Sequence, residues 1–258
     1  MSCERYTHFN PVLRRYHLKR LNVVLSLLED ALRTCNDANP IFLDVGCGDG
    51  TYEVMLCRKF KFLVALDVSL RDLKVAKSAL KDKNNVDFIL ADARHIPLRT
   101  SSIHVVLCSE VLEHIRDPIK VLDELFQVFS DTLLITVPVL GRLRSLAKAF
   151  CYHHKLSSME KRVGHICMRE QQWWTNAVFK AAIKIKRGSK FNANTMPLYI
   201  FSEPFASMLA NCKGVCFRIV SKALDIFEKS LTKLGFANHL IITMSCVRQQ
   251  NDKTTSTS

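Results

Sequence analysis

The sequence predicts an α/β protein built on a parallel sheet, and two observations carry that prediction. Five short apolar runs alternate with amphipathic segments over residues 40–139, the pattern of βαβ units with right-handed crossovers. The runs end in a glycine-dense loop or in an acid, and parallel sheets bind ligands beyond the carboxyl ends of their strands, where the strand order switches.

Each element has its own signal. From Asn10 to Thr34, Leu13, Leu18, Leu21, Val24, Leu25, Leu27, Leu28 and Leu32 recur at roughly helical spacing. Asn36 to Pro40 is a turn-rich break. IFLDV is a first strand, running through GCGDG into the helical TYEVMLCRKF. KFLVALDVS is a second strand with Asp67 near its end, followed by the helical LRDLKVAKSALKDK. VDFILADA and SIHVVLCSE are the third and fourth strands, DPIKVLDELFQVFS is helical, and DTLLITVP is a fifth strand stopped by Pro138. AIKIKRGSK (182–190) reads as a sixth strand and HLIITMSCV (239–247) as a seventh. The connection between them is far longer than a hairpin needs. Within it Phe217, Val220, Leu224, Phe227, Leu231 and Leu234 have the spacing of an amphipathic helix, with Arg218, Lys222, Lys229 and Lys233 on other faces.

At 258 residues and 48% hydrophobic, the chain can bury a large core and is neither disordered nor fibrous. It lacks an apolar run long enough to span a bilayer and an apolar segment near its start, so a soluble, cytoplasmic protein is expected. The 10 cysteines include no CxxC, so they read as small buried hydrophobes rather than a zinc or disulfide framework.

The loop Asp44-Val45-Gly46-Cys47-Gly48-Asp49-Gly50 strips side chains from a strand-to-helix turn and lets a ligand lie against the backbone. A dinucleotide site places glycine where Thr51 stands, and a P-loop needs a Gly-Lys-Ser/Thr that does not follow. Asp67 is placed to accept from both hydroxyls of a ribose, and Asp92 from an adenine amino group. Each acid alone is also a plausible turn cap. Three acids at successive strand ends beside such a loop point to a nucleoside ligand.

LDVGCGDG, the acid in ALDVS, LADARHIPL and SEVLEHIRDP resemble the successive motifs of class I S-adenosylmethionine-dependent methyltransferases, in the type-11 group. The resemblance covers about residues 15–140 strongly, and VGHICMREQQWW and ANHLIITMSC more weakly. It implies a Rossmann-like, seven-stranded, mostly parallel sheet with helices on both faces, a final antiparallel hairpin and a helical insertion before the last strand. One domain over residues 1–248 is expected, with its cofactor core at about 15–140, the acceptor side and insertion at about 141–238, and a disordered tail at 249–258. The cofactor implied is S-adenosyl-L-methionine. Asp44, Gly46, Cys47 and Gly48 then lie at its methionine part, Asp67 and Val68 at the ribose, Asp92 and Ala93 at the adenine, and Ser109 beside the methyl group. Tyr16 or Arg20 of the first helix could reach the cofactor carboxylate or simply pack that helix, and neither joins the expected site.

On the acceptor side, Glu110, Glu113 and His114 share one side of a helical turn if the segment is helical. Glu-x-x-Glu-His resembles the magnesium-binding trio of quinone-biosynthesis O-methyltransferases and of RNA 3′-end methyltransferases, with His165 as the fourth ligand. Many type-11 members carry the same LEH string without a metal, and magnesium prefers oxygen to imidazole, so magnesium is the less favoured cofactor. The favoured catalytic set is His114, Glu113 and His165, orienting or deprotonating an acceptor hydroxyl. Of Trp173 and Trp174, at least one is expected in the core.

Charge bears on the acceptor. Residues 1–139 hold 18 basic and 18 acidic residues, whereas residues 140–258 hold 19 and 6, so the net +13 lies in the C-terminal part. A small-molecule, lipid or quinone-like acceptor fits, with peripheral contact to an anionic membrane through the basic half at the inner membrane surface. Nucleic acid is disfavoured for want of an RNA-binding module, and no obligate protein partner is read. The rival reading is a non-catalytic adenosylmethionine-binding module. A nicotinamide oxidoreductase comes third, disfavoured by Thr51.

Overall fold

The computed structural model describes residues 11–35, 37–139, 166–167, 169–186, 189–198, 226, 229–230 and 239–247. Helix α1 (Pro11–Thr34) precedes β1 (Ile41–Val45), α2 (Thr51–Leu56), β2 (Phe62–Asp67), α3 (Leu70–Ala79), β3 (Val86–Leu90) and β4 (Ile103–Ser109). A single 3-10 turn (Leu112–His114) leads to α4 (Pro118–Val128) and β5 (Phe129–Pro138). The later elements are α5 (Gln171–Ile185), β6 (Lys190–Leu198) and β7 (His239–Val247).

The seven strands lie in the order β3-β2-β1-β4-β5-β7-β6. β1 to β5 pair in parallel, and β7 runs antiparallel to both β5 and β6. The order reverses between β1 and β4, which is where a sheet of this kind opens a crevice.

Alternation along the strands divides the core between two faces. Leu43, Val45, Val106, Cys108, Leu133, Ile135, Leu240 and Ile242 point to one face, which α4 covers with Val121, Leu122, Leu125 and Phe126 and α5 with Trp174, Ala177, Val178 and Ala181. Phe42, Leu63, Val105, Leu107, Leu134 and Ile241 point to the other, under Leu21, Val24 and Leu28 of α1 and Tyr52 and Leu56 of α2. On that face α3 adds Leu73 against Ala65 and Cys47. Burying each large side chain contributes about 1.5–3 kcal/mol, enough to fix which face each helix presents. Local chemistry sets the helix starts: Asn-like caps are supplied by Ser69, whose hydroxyl accepts from Asp72 N, and by Asp117, with Pro118 in the first turn of α4.

The expected sixth strand at 182–190 is corrected. Residues 182–185 belong to α5, and the strand begins at Lys190. Trp174, Ala177, Val178, Ala181 and Ala182 are buried at three-and-four spacing, so helical packing overrides the alternation of Ile183 and Ile185. KFNANTMPL forms the outer strand instead, and an edge tolerates Pro197 because the outward side needs no donor. The amphipathic stripe from Phe217 to Leu234 lies outside the described residues apart from Ile226, Lys229 and Ser230, and so does the tail from residue 248. Among the described residues no helix is long and apolar enough to cross a membrane, and all six cysteines are free.

Candidate active site

The glycine loop crosses the carboxyl end of β1 and is tied down on its neighbour: Gly46 N and Cys47 N both donate to Leu66 O, at 2.7 and 3.1 Å. Gly46, Gly48 and Gly50 all have positive φ. Their surroundings differ. A Cβ on Gly46 would meet Val111 Cγ2 at 2.3 Å, whereas one on Gly48 would meet nothing within 4 Å. Gly46 is therefore glycine for packing, and Gly48 for a surface left open to a ligand.

Asp67 completes this cradle. Its Oδ2 accepts from Gly48 N at 2.9 Å and its Oδ1 from Ser69 N at 2.8 Å. Each oxygen keeps a further lone pair for an incoming hydroxyl. Val68 beside it is 72% exposed, an apolar side chain that a flat ring would cover. Asp92 is differently placed: Arg94 grips it through Nε and Nη2 at 2.6–3.1 Å, and that ion pair holds its carboxyl down to about 2. A further donor at Asp92 would share it with Arg94. Ala93 is buried in the core.

Beneath the loop, Asp44 and Glu53 are buried side chains that hydrogen-bond to each other when one carboxyl holds a proton. Burial pushes the Asp44 carboxyl up to about 8, with the nearby Asp67 charge adding to it. Burial and then Asp44 drive Glu53 up as well. The same burial and acids raise the Cys47 thiol, which makes it a filler and a poor nucleophile. The sequence reading missed Glu53. A carboxylate between the buried Tyr52 and Leu56, just after a glycine loop, was the signal.

At the end of β4, Ser109 Oγ lies 2.9 Å from Thr136 Oγ1 and 3.3 Å from Tyr52 OH. Thr136 Oγ1 donates to Glu110 Oε1 at 3.2 Å, and Arg20 Nη1 donates to Glu110 Oε2 at 2.8 Å. His239 of β7 approaches the same oxygen at 3.5 Å. Burial alone would raise the Glu110 carboxyl, but Arg20 and His239 hold it well below its ordinary range. This polar chain spans α1, α2, β4, β5 and β7. Arg20, set aside from the sequence, is thus buried against a carboxylate of this chain; the side chain of Tyr16 lies outside the described residues.

The three acceptor-side residues do not share one face. Glu110 follows the last residue of β4 with φ +57, and the 3-10 turn starts only at Leu112. Glu113 is fully buried, neither carboxyl oxygen has a hydrogen-bond partner among the described residues, and burial and the Glu110 charge push it up. His114 is 40% exposed, its Nε2 3.8 Å from Glu113 Oε1. Glu113 O accepts from Ile166 N and Cys167 N at 2.8 and 2.9 Å, which brings the chain after residue 165 to this turn. His165 itself lies outside the described residues, and among the described residues no cluster of His, Cys, Asp or Glu could hold a metal. Trp174 is buried, and Trp173 packs edge-on to it at 4.9 Å under Arg169.

Comparison with known proteins places this arrangement. The profile of the methyltransferase-domain family, type 11, matches residues 43–132, the segment that holds β1 through the start of β5 with Asp44, Asp67, Asp92 and Ser109. Over that segment, about a third of the chain, the sequence is similar to the methyltransferase-domain family. The chain is 27% identical over 135 residues to a ubiquinone biosynthesis O-methyltransferase of Parvibaculum lavamentivorans, covering 52% of this chain and 53% of that one. It is 28% identical over 153 residues to a malonyl-[acyl-carrier protein] O-methyltransferase of a Marinomonas species, covering 58% and 52%. The chain spans about half the length of the curated relatives it matches. In fold it is similar to Haemonchus contortus phosphoethanolamine N-methyltransferase 2 in complex with S-adenosyl-L-methionine, with TM-score 0.59 and 16% identity over 89% of this chain and 53% of that one.

Proposed function

We propose that the protein transfers a methyl group from S-adenosyl-L-methionine to a hydroxyl oxygen of a small-molecule or lipid acceptor. The observation that carries this is the open cradle at Gly48, closed on one side by the Asp67 carboxylate at the strand switch. When bound, the cofactor supplies a sulfonium-borne methyl group open to in-line displacement.

The chain's own part is to bind, orient and move a proton. Asp67 offers charge-assisted acceptors to a ribose diol, and Val68 and the backbone after β3 flank a flat base. Ser109 is held in place by Tyr52 and Thr136 beside the acceptor side of the crevice. His114, half exposed next to the buried Glu113, is the group on the described acceptor side that can take a hydroxyl proton from a solvent-facing substrate. The relatives' names support oxygen as the methylated atom, and quinone precursors or acyl carriers set the range of acceptor. The basic C-terminal half would draw such an acceptor from an anionic membrane surface.

Calorimetry with adenosylmethionine and adenosylhomocysteine tests the cofactor. Asp67→Ala is expected to weaken binding by about 1–3 kcal/mol. Folded protein that binds neither ligand ends the proposal. Incubating cell extract with methyl-labelled cofactor tests the acceptor: label is expected in the lipid or small-molecule fraction. Label in RNA or protein would change the acceptor, and binding without any labelled product would favour the non-catalytic module.

A further inference from the structure

The Glu-x-x-Glu-His string, whose spacing resembles a magnesium-binding trio, does not fit a divalent ion in this chain. Such a trio needs one helical turn, but Glu110 has φ +57 and only Leu112–His114 form a 3-10 turn. Glu113 is fully buried while the His114 side chain is 40% exposed, so these neighbours divide between core and surface. Among the described residues no group of His, Cys, Asp or Glu can hold a metal. A cation is nevertheless in place. Arg20 Nη1 donates to Glu110 Oε2 at 2.8 Å, and both side chains are buried or nearly so. The same guanidinium is near enough to Glu113 to lower its carboxyl, against burial and the Glu110 charge, which raise it. Two acids of the string thus look onto one guanidinium. The buried stripe of Leu21, Val24 and Leu28 docks α1 on the sheet and carries Arg20 with it.

We propose that Arg20 is the resident cation of the Glu110 and Glu113 pair, standing where the string would offer a place to a divalent ion, so that the acceptor side works without metal. Its bearing on the acceptor rests on the methyltransferase reading and deepens it, whereas the cation site stands on the residues themselves. Charge decides the matter. An ionised Glu110, a protonated Glu113 and a charged Arg20 sum to zero. A divalent ion added there would face the guanidinium across a short, weakly screened distance and would have to shed its water to enter. A guanidinium brings fixed N–H donors that match a carboxylate and needs no coordination shell. Ion and Arg20 therefore exclude one another at Glu110. Arg20 is a positioning residue: it fixes the Glu110 carboxylate, and through it the Thr136 and Ser109 hydroxyls at the strand ends. Proton transfer from the acceptor then falls to side chains.

The test is Mn2+ binding by the full chain, read as loss of the paramagnetic resonance signal of the free ion. Wild type is expected to leave that signal unchanged up to about 1 mM Mn2+, an ion that suits oxygen donors such as these carboxylates. Arg20→Ser removes the charge and makes room, so it is expected to bind Mn2+ at least about tenfold more tightly than wild type. Arg20→Lys keeps a cation and should gain nothing, and adding Glu110→Gln to Arg20→Ser should abolish the gain. Arg20→Gln carries the same expectation as Arg20→Ser and replaces it if that variant fails to fold. Mn2+ held by wild type and released by Glu110→Gln overturns the inference, as does a folded Arg20→Ser or Arg20→Gln that gains no binding. Calorimetry of wild type with adenosylhomocysteine in excess chelator keeps the two readings apart. Binding is expected there. Binding that appears only on adding Mg2+ also overturns the inference, whereas no binding under either condition ends the cofactor assignment and leaves the Mn2+ result standing.

Discussion

At the scale of single residues, glycines that look equivalent in the sequence separate by what they touch. Gly46→Ala brings a Cβ into Val111 and keeps an unfavourable positive φ, so it should cost about 2–4 kcal/mol of stability. Gly48→Ala meets open space and pays only for its φ, about 1–2 kcal/mol, yet it fills the surface on which the cofactor would lie. Chemical denaturation and cofactor titration of both variants should therefore give opposite rankings: the first loses more stability and the second more affinity per kilocalorie lost. Equal stability losses would refute the distinction. The residues of the loop and the acids Asp67 and Asp92 were legible because their positions follow from strand ends. Glu53 and Arg20 were not, since their roles depend on which side chain lies opposite them, and spacing alone does not report that.

Among elements, α1 is fastened to the sheet by more than its apolar stripe. Arg20 is 7% exposed in its side chain and Glu110 13%, and the pair joins the helix to the end of β4. Removing one partner leaves a buried charge. Arg20→Gln should therefore destabilise by about 3 kcal/mol, and the Arg20→Gln, Glu110→Gln double variant by less than the two single losses added together. Urea denaturation of the four proteins reads this, and strict additivity would show the pair to be uncoupled. At α5 the sequence misled. Alternating Ile183 and Ile185 resembled a strand, but the residues that decide lie upstream of them, where Trp174, Ala177, Val178 and Ala181 form a helical face. Ile183 is 72% exposed, so Ile183→Lys should change stability by no more than about 0.5 kcal/mol in the same assay; a loss of several kilocalories would restore the strand. The parallel strands were readable because each is a short apolar run, and β1, β2, β4 and β5 are buried on both faces, while β3 at the edge is only partly buried. β6, an edge with Asn192, Asn194 and Pro197, carries no such signal.

For the molecule as a whole, the buried acids set the dependence of stability on pH. Asp44, Glu53 and Glu113 have raised carboxyls, so what they contribute is present in full below the ordinary carboxylate range and is lost as pH rises through about 8 for Asp44. Glu110 and Asp92 are held low, and their contribution is present above the ordinary range and lost as pH falls towards about 2 for Asp92, which is discounted for its exposure. The melting temperature should therefore peak near the ordinary carboxylate range and fall from there to about pH 8. Glu53→Gln should flatten the alkaline side. A melting temperature that climbs steadily through that range would contradict the assignment of raised carboxyls.

The place of β7 in the sheet has a consequence for how the protein is made. Its residues, His239 to Val247, are the last described in the chain, yet the strand sits inside the sheet between β5 and β6. During synthesis the five parallel strands leave the ribosome with the inner edge of β5 bare, and β6 has no neighbour to pair with. Glu110 waits equally long for His239. Until the ribosome has delivered these nine residues, a nascent chain that already holds every cofactor motif displays a bare row of amides and carbonyls, a template for any passing strand. Cells would need to shield that edge, and a ribosome that stalls before His239 would yield a sticky fragment rather than a smaller working protein.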